Sequence, residues 1–188
     1  MRVSRATFAA NRERIVEVAG ALFREKGFDG IGVADIMKAA GLTHGGFYGH
    51  FSSKDDLAAE ASRVVLGHSA RKWHAVVEGA LGRKLPALLD HYLSVAQRDT
   101  PGRGCAFPAL GAEAARQSGA VRDVFTDGME ALVAILAGLA AGRSVPARRK
   151  RALAMFSTMV GAMLLARAVN DDRLSREILT AAADSVLA

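Results

Sequence analysis

The chain has 188 residues, 51% of them hydrophobic and 23% charged, with one cysteine and a formal net charge of +6. That length and composition describe one large folded domain or two small ones sharing a core, and exclude a disordered chain. A single cysteine excludes an internal disulfide framework and a Cys-rich zinc site. Alanine and leucine in these numbers favour helix over sheet. Residues 1–54 hold eight basic and five acidic residues, so half of the excess charge lies in less than a third of the chain. A positive excess suits an anionic partner such as nucleic acid. The basic start, MRVSRATFAANRER, is not followed by a signal-type apolar stretch, so the chain reads as cytoplasmic.

Ile15, Val18, Ala19, Leu22 and Phe23 repeat at helical spacing, with Arg12, Glu13, Glu17, Arg24 and Glu25 off that face. They predict a first helix over about 8–26, stopped by Gly27. Val33, Ile36, Met37 and Ala40 predict a second, short helix, with Gly32 as N-cap, Asp35 in its first turn and Gly41 at its end. Gly41, Leu42 and Thr43 make a tight turn, and Thr43 suits the N-cap of a third helix over about 44–50. Two short helices across such a turn have the layout of a helix-turn-helix. Phe47 and Phe51 share a face that anchors the third helix, so His44, Gly45, Tyr48 and Gly49 point away. Ser52 or Ser53 starts a fourth helix to about Val77, with Asp55 and Asp56 as first-turn acids beside Lys54.

The remainder reads as helix throughout: 82–98, a loop at Pro101, Gly102 and Gly104, then 105–116, 121–141, 147–169 and 174–187. The turn GRSVP separates two of these helices. Ala152–Ala166 lacks any charge over fifteen residues. It is short of the roughly 18–20 residues that span a bilayer, so it reads as a core or oligomer-interface helix, with no membrane partner. The expected architecture is all-α, about nine helices, with a three-helix helix-turn-helix domain over 1–52 and a larger helical ligand-binding and dimerisation domain over 53–188.

The segment GFDGIGVADIMKAAGLTHGGFYGHFSSKDDL resembles the DNA-binding signature of the TetR family of bacterial transcriptional regulators, and with the first helix the resemblance covers about residues 10–60. It implies a homodimer with an N-terminal reading head and a C-terminal small-molecule pocket. Dimerisation would use the last two long helices, and an effector would release an operator in double-stranded DNA, most simply as a repressor. The N-terminal residues of the third helix, Thr43, His44, Gly45 and Gly46, would approach base edges. By family position Tyr48, His50 and Lys54 would contact phosphates, with Arg2, Arg5, Arg12 and Arg14 as a basic arm. Two glycines depart from the family pattern: Gly32 stands where a threonine or serine is usual, and Gly46 where a larger or hydroxylated residue is usual. They shift the expected readout toward His44, Tyr48, main-chain donors and DNA shape. They also keep open a helical interaction module without DNA binding.

In the second domain, Trp73, Tyr92, Cys105, Phe107, Phe125, Met129 and Met159 are candidate pocket residues, with His74 and His91 as polar neighbours. Phe156, Met163, Leu164, Leu179 and Val186 are candidate dimer-interface residues. Met155, Phe156, Met159 and Met163 follow helical spacing that suits a core or a dimer seam. Cys105, at a helix start near Arg103, is either a thiol of lowered pKa that senses oxidants or electrophiles, or a small buried residue. The basic run Arg148, Arg149, Lys150 and Arg151 reads as a solvated helix turn. The sequence carries no Gly-x-Ser-x-Gly, His-Glu-x-x-His or Gly-x-x-x-x-Gly-Lys motif, and His44 and His50 do not share a helical face. It therefore calls for no enzyme, cofactor or metal.

Overall fold

A computed structural model describes residues 4–188, and among these every regular element is helical. Ten α-helices run in order: α1 (Arg5–Lys26), α2 (Val33–Ala39), α3 (Phe47–His50), α4 (Lys54–Gly79), α5 (Lys84–Tyr92), α6 (Val95–Asp99), α7 (Ala106–Ala114), α8 (Gly119–Leu139), α9 (Val145–Ala168) and α10 (Asp172–Leu187). Single 3₁₀ turns at His44–Gly46 and Pro101–Arg103 complete the chain.

The first two helices form as the spacing predicts, with one extension. The Ser4 hydroxyl accepts from the Thr7 N–H, so α1 begins at Arg5, and Arg5, Arg12 and Arg14 lie on a helix and not on a free arm. Arg2 lies outside the described residues. Ile15, Ala19 and Phe23 are buried along α1, which ends where Gly27 takes φ +81° and returns its N–H to the Phe23 carbonyl. The turn after α2 is a Schellman motif: the Leu42 N–H donates to the Met37 carbonyl and the Gly41 N–H to the Lys38 carbonyl, with Gly41 at φ +70°. Thr43 occupies the N-cap position, but its side chain makes no capping bond. The expected third helix begins as a 3₁₀ turn and becomes α-helical only at Phe47, because Gly45 and Gly46 are poor helix formers. Ser53 caps α4 by accepting from the Asp56 N–H, and the Asp56 carboxylate accepts from the Ser52 N–H and hydroxyl.

The single helix expected over 82–98 is broken at Leu93. Its N–H closes α5 onto the Leu89 carbonyl, and Ser94 then caps α6 by accepting from the Gln97 N–H. In the rest of the body α8 packs between α4 and α9, and α10 lies across α9 and α5. α9 is long and apolar enough to cross a membrane, but Ala152, Met155, Phe156, Met159, Ala162 and Met163 bury one side of it in the protein. Near its start Arg149 forms a bidentate pair with Glu130 of α8 and Arg148 donates to the Gly142 carbonyl, while Lys150 and Arg151 are exposed.

Two apolar cores result. The first joins Phe23, Phe28, Ile36, Phe47 and Phe51 to Leu57 and Val65 of α4 and onward to Leu110 and Phe125, so it runs continuously past residues 52 and 53. The second holds Trp73, Leu88, Leu132, Phe156, Met159 and Leu179. Phe107 packs against both, edge-on to Phe125 and to Phe156.

Candidate nucleic-acid interface and effector cavity

Phe47 and Phe51 are buried with ring centroids 5.7 Å apart, and they fix which way the short α3 faces. The opposite side carries Tyr48, 71% exposed, with the exposed His44 ring edge-on to it at 6.5 Å. Thr43, Gly45 and Gly46 are also exposed. No atom lies within 4 Å of the place where a Cβ on Gly45 would sit, so backbone there can approach a flat surface closely. His50 is partly buried and stacks on Phe8 at 4.0 Å. Burial and then the nearby Arg12 charge hold its pKa below the ordinary value, so near neutrality it offers an N–H without a cation. Lys54, the first residue of α4, makes no hydrogen bond or ion pair among the described residues.

Arg12 is occupied within the fold. Its guanidinium donates to the His50 carbonyl at 2.8 Å and to the Glu60 carboxylate, and lies over the Phe51 ring at 4.2 Å. It braces α1, α3 and α4 together and is not free to extend as part of an arm.

A cavity of about 490 Å³ opens where α1, α4, α5 and the 102–105 loop meet. Its apolar wall comes from Val16, Ala21, Val64, Val65 and Trp73, with Tyr92 and Cys105 beside them. Three candidates from the sequence, Trp73, Tyr92 and Cys105, thus meet at one cavity, and His91 joins them. Trp73 and Tyr92 contact edge-on at 5.4 Å. Phe107, Phe125, Met129 and Met159 are not brought to this cavity: Phe125 and Met159 are buried in the two cores, and Met129 packs against the second. His74 is exposed elsewhere on α4. Sequence reasoning missed Arg24, Lys72 and Gln97 as wall residues. Arg24 had only its position off the apolar face of α1 to signal it, and the loop it meets is about 80 residues away.

Cys105 is buried, and burial pushes its thiol above the ordinary value despite the Phe107 N–H, Tyr92, Arg167 and Arg24 pulling it down. The lowered pKa expected from a helix start and a nearby arginine does not arise, because desolvation outweighs the Phe107 N–H and the charges of Arg167 and Arg24. The same burial pushes Tyr92 well up.

α1 and the loop after it are also tied to segments much later in the chain. Arg24 of α1 donates to the carbonyls of Gly102 and Gly104. The Phe28 N–H donates to the Glu113 carboxylate of α7 at 2.7 Å.

The structure directs four of the five dimer candidates inward. Phe156, Met163, Leu179 and Val186 are buried in the chain's own second core, while Leu164 is exposed. Helical spacing identifies a buried stripe but not whether the chain itself or a second copy covers it. The large outward apolar residues of α9 and α10 are Val145, Leu153, Leu164, Leu165, Leu174 and Leu187.

Residues 15–61 match the family described as bacterial regulatory proteins, tetR family, and residues 80–182 match tetracyclin repressor-like, C-terminal domain. The HTH-type transcriptional regulator AcrR of Shigella flexneri is 43% identical over 85 residues, 44% of this chain and 40% of the relative. The HTH-type transcriptional repressor DhaR of Mycobacterium sp. (strain GP1) is 27% identical over 111 residues, 59% of this chain and 56% of the relative. The chain spans about a quarter to just over half the length of the curated relatives it matches. Among solved structures, a TetR transcriptional regulator from Chloroflexus aurantiacus superposes with a TM-score of 0.80 at 25% identity, covering 97% of this chain and 96% of that one.

Proposed function

Because the chain belongs to the TetR family of bacterial regulatory proteins, we propose that it is a repressor that binds a palindromic operator as a homodimer and leaves it when a small molecule occupies the cavity. The observation that carries the DNA reading is the exposed side of α3, where Tyr48 and His44 stand clear of a helix held from behind by Phe47 and Phe51. His44 and the uncommitted Thr43 hydroxyl are placed to meet base edges. Gly45 and Gly46 allow close approach of the main chain to the groove. Tyr48, His50 and Lys54 supply an O–H, an N–H and an ammonium for phosphates flanking it. In this reading residues 1–52 form the head and 53–188 the body, mechanically joined through their shared core.

Exposed Leu164 and Leu165, with Leu153 on α9 and Leu174 and Leu187 on α10, support a symmetric four-helix contact between two copies. For release, α1 forms one wall of the cavity and also the spine of the head. A ligand that favours a different placement of α1 shifts the population away from the DNA-binding arrangement by its difference in affinity for the two. Of the two triggers raised by the sequence, a small molecule is better supported than modification of Cys105, whose thiol is buried and protonated.

Selection of bound sites from a random duplex pool at stated salt tests this reading. The expected result is an enriched palindrome whose half-sites lie about one helical turn, or a multiple of it, apart. Weak salt-dependent binding with no enriched sequence refutes it and points to a helical interaction module.

A further inference from the structure

The cavity wall holds charge and hydrogen-bonding capacity that the protein does not use. Among the lining residues Arg24, Lys72 and Arg103 are cationic and Glu17 is the one acid. Arg24 is paired with carbonyls only, and its Nε is buried with no partner. The Tyr92 hydroxyl, on a side chain only 3% exposed, is buried beside the Cys105 thiol and has no oxygen or nitrogen partner. Arg167 stands close behind: its Nη2 would lie 3.0 Å from a Cβ on Gly104. It too donates only to carbonyls, of Gln97 and Arg98, and leaves Nη1 unpartnered. Buried polar groups are almost always paired, and buried cations usually have an anion. A wall with three cations against one acid, whose Arg24 is held by carbonyls and not by a carboxylate, therefore calls for an anionic occupant. Burial and the Lys72 charge depress His91, so this imidazole is neutral and leaves the excess positive charge to Arg24, Lys72 and Arg103.

We infer that the cavity takes an organic carboxylate with a compact apolar body, its carboxylate facing Arg24, Tyr92 and Lys72 and its body against Val16, Val64, Val65 and Trp73. The volume of about 490 Å³ suits a small amphiphile and lies within the roughly 300–1,000 Å³ of ligand pockets. The inference rests on reading the chain as an effector-responsive regulator and adds the chemical class of the effector. It also supplies a route to the head, since a carboxylate on Arg24 competes with the Gly102 and Gly104 carbonyls that tie α1 to the body.

Trp73 is the sole tryptophan and stands in the wall, so its emission reports occupancy. The full chain is titrated, without DNA, with 4-phenylbutyrate and with 4-phenylbutan-1-ol, which has the same body and no charge. The expected result is that the acid binds about tenfold or more tightly than the alcohol, as hydrogen bonds to a charged group imply. Tyr92→Phe and Lys72→Met each reduce that preference. Both substitutions spare the fold, one preserving the ring against Trp73 and the other replacing an exposed side chain. Equal affinities, a preference untouched by both variants, or no emission change with the acid at millimolar concentration overturns the inference. Since no DNA is present, failure of the operator selection leaves this measurement independent.

Discussion

Lys54→Ala separates DNA contact from fold stability. Lys54 opens α4, a position where the helix dipole disfavours a cation, and no carboxylate or carbonyl engages its ammonium among the described residues. Its removal therefore leaves the melting temperature unchanged, or raises stability by roughly 0.3–1 kcal/mol. On DNA the accounting differs. Each phosphate contact adds about 0.9 to the slope of log affinity against log salt. A homodimer places two copies of Lys54 on the duplex, so the variant's slope is shallower by about 1.8. Across a fourfold rise in salt, from about 50 to 200 mM, the parent then loses about 12-fold more affinity than the variant. Fluorescence anisotropy of a labelled operator, read at several salt concentrations beside a thermal melt of each protein, measures both quantities. An unchanged slope refutes the phosphate contact. A change near 0.9 refutes two-fold engagement, and a fall in melting temperature shows that Lys54 serves the fold.

Three further outcomes follow from the geometry. His44→Ala relaxes base preference at one position per half-site, by about 1–3 kcal/mol for a base-reading side chain; identical selected sites from parent and variant refute its readout role. Glu113→Ala strands the Phe28 N–H, which the carboxylate accepts at 2.7 Å, and denaturant unfolding registers a loss of about 1–3 kcal/mol, whereas Glu113→Gln keeps an acceptor and loses less. Cys105 and Tyr92 both hold their protons more tightly folded than unfolded, so their contribution to stability is complete below pH 9 and declines as pH rises through and beyond the ordinary values of 9.0 and 10.0. Melting temperatures from pH 8 to 11 show that decline flattened in a Tyr92→Phe, Cys105→Ala double variant, and an equal decline in both proteins counts against the assignment.

The head was legible in the sequence because its determinants are local. Ile15 to Phe23 keep one period, Gly27 and Gly41 stand where φ turns positive, and Phe47 and Phe51 lie one turn apart. The break at Leu93 was also written locally, as the Ser94-x-x-Gln97 capping pattern inside an otherwise continuous apolar rhythm, but that rhythm dominated the reading. The cavity was legible only in part. Trp73, Tyr92 and Cys105 drew notice through their chemistry, whereas Arg24 reaches it through contacts with Gly102 and Gly104 far along the chain. The inward stripe of α9 illustrates the same limit: Phe156 and Met163 have the spacing of a seam, and only the positions of α8 and α10 decide that they face inward.

The glycines of the reading helix bear on how such a protein changes its target. Gly45, Gly46 and Gly49 have ordinary φ values, and a Cβ at any of them meets nothing nearer than 3.7 Å. Within the folded chain an alanine at any one of them thus meets no clash, and in a helical turn it is favoured over glycine by roughly 1 kcal/mol. At those positions this exposed face carries no side chain that a substitution would have to replace. Single added side chains there therefore change what the exposed face presents while leaving the protein folded.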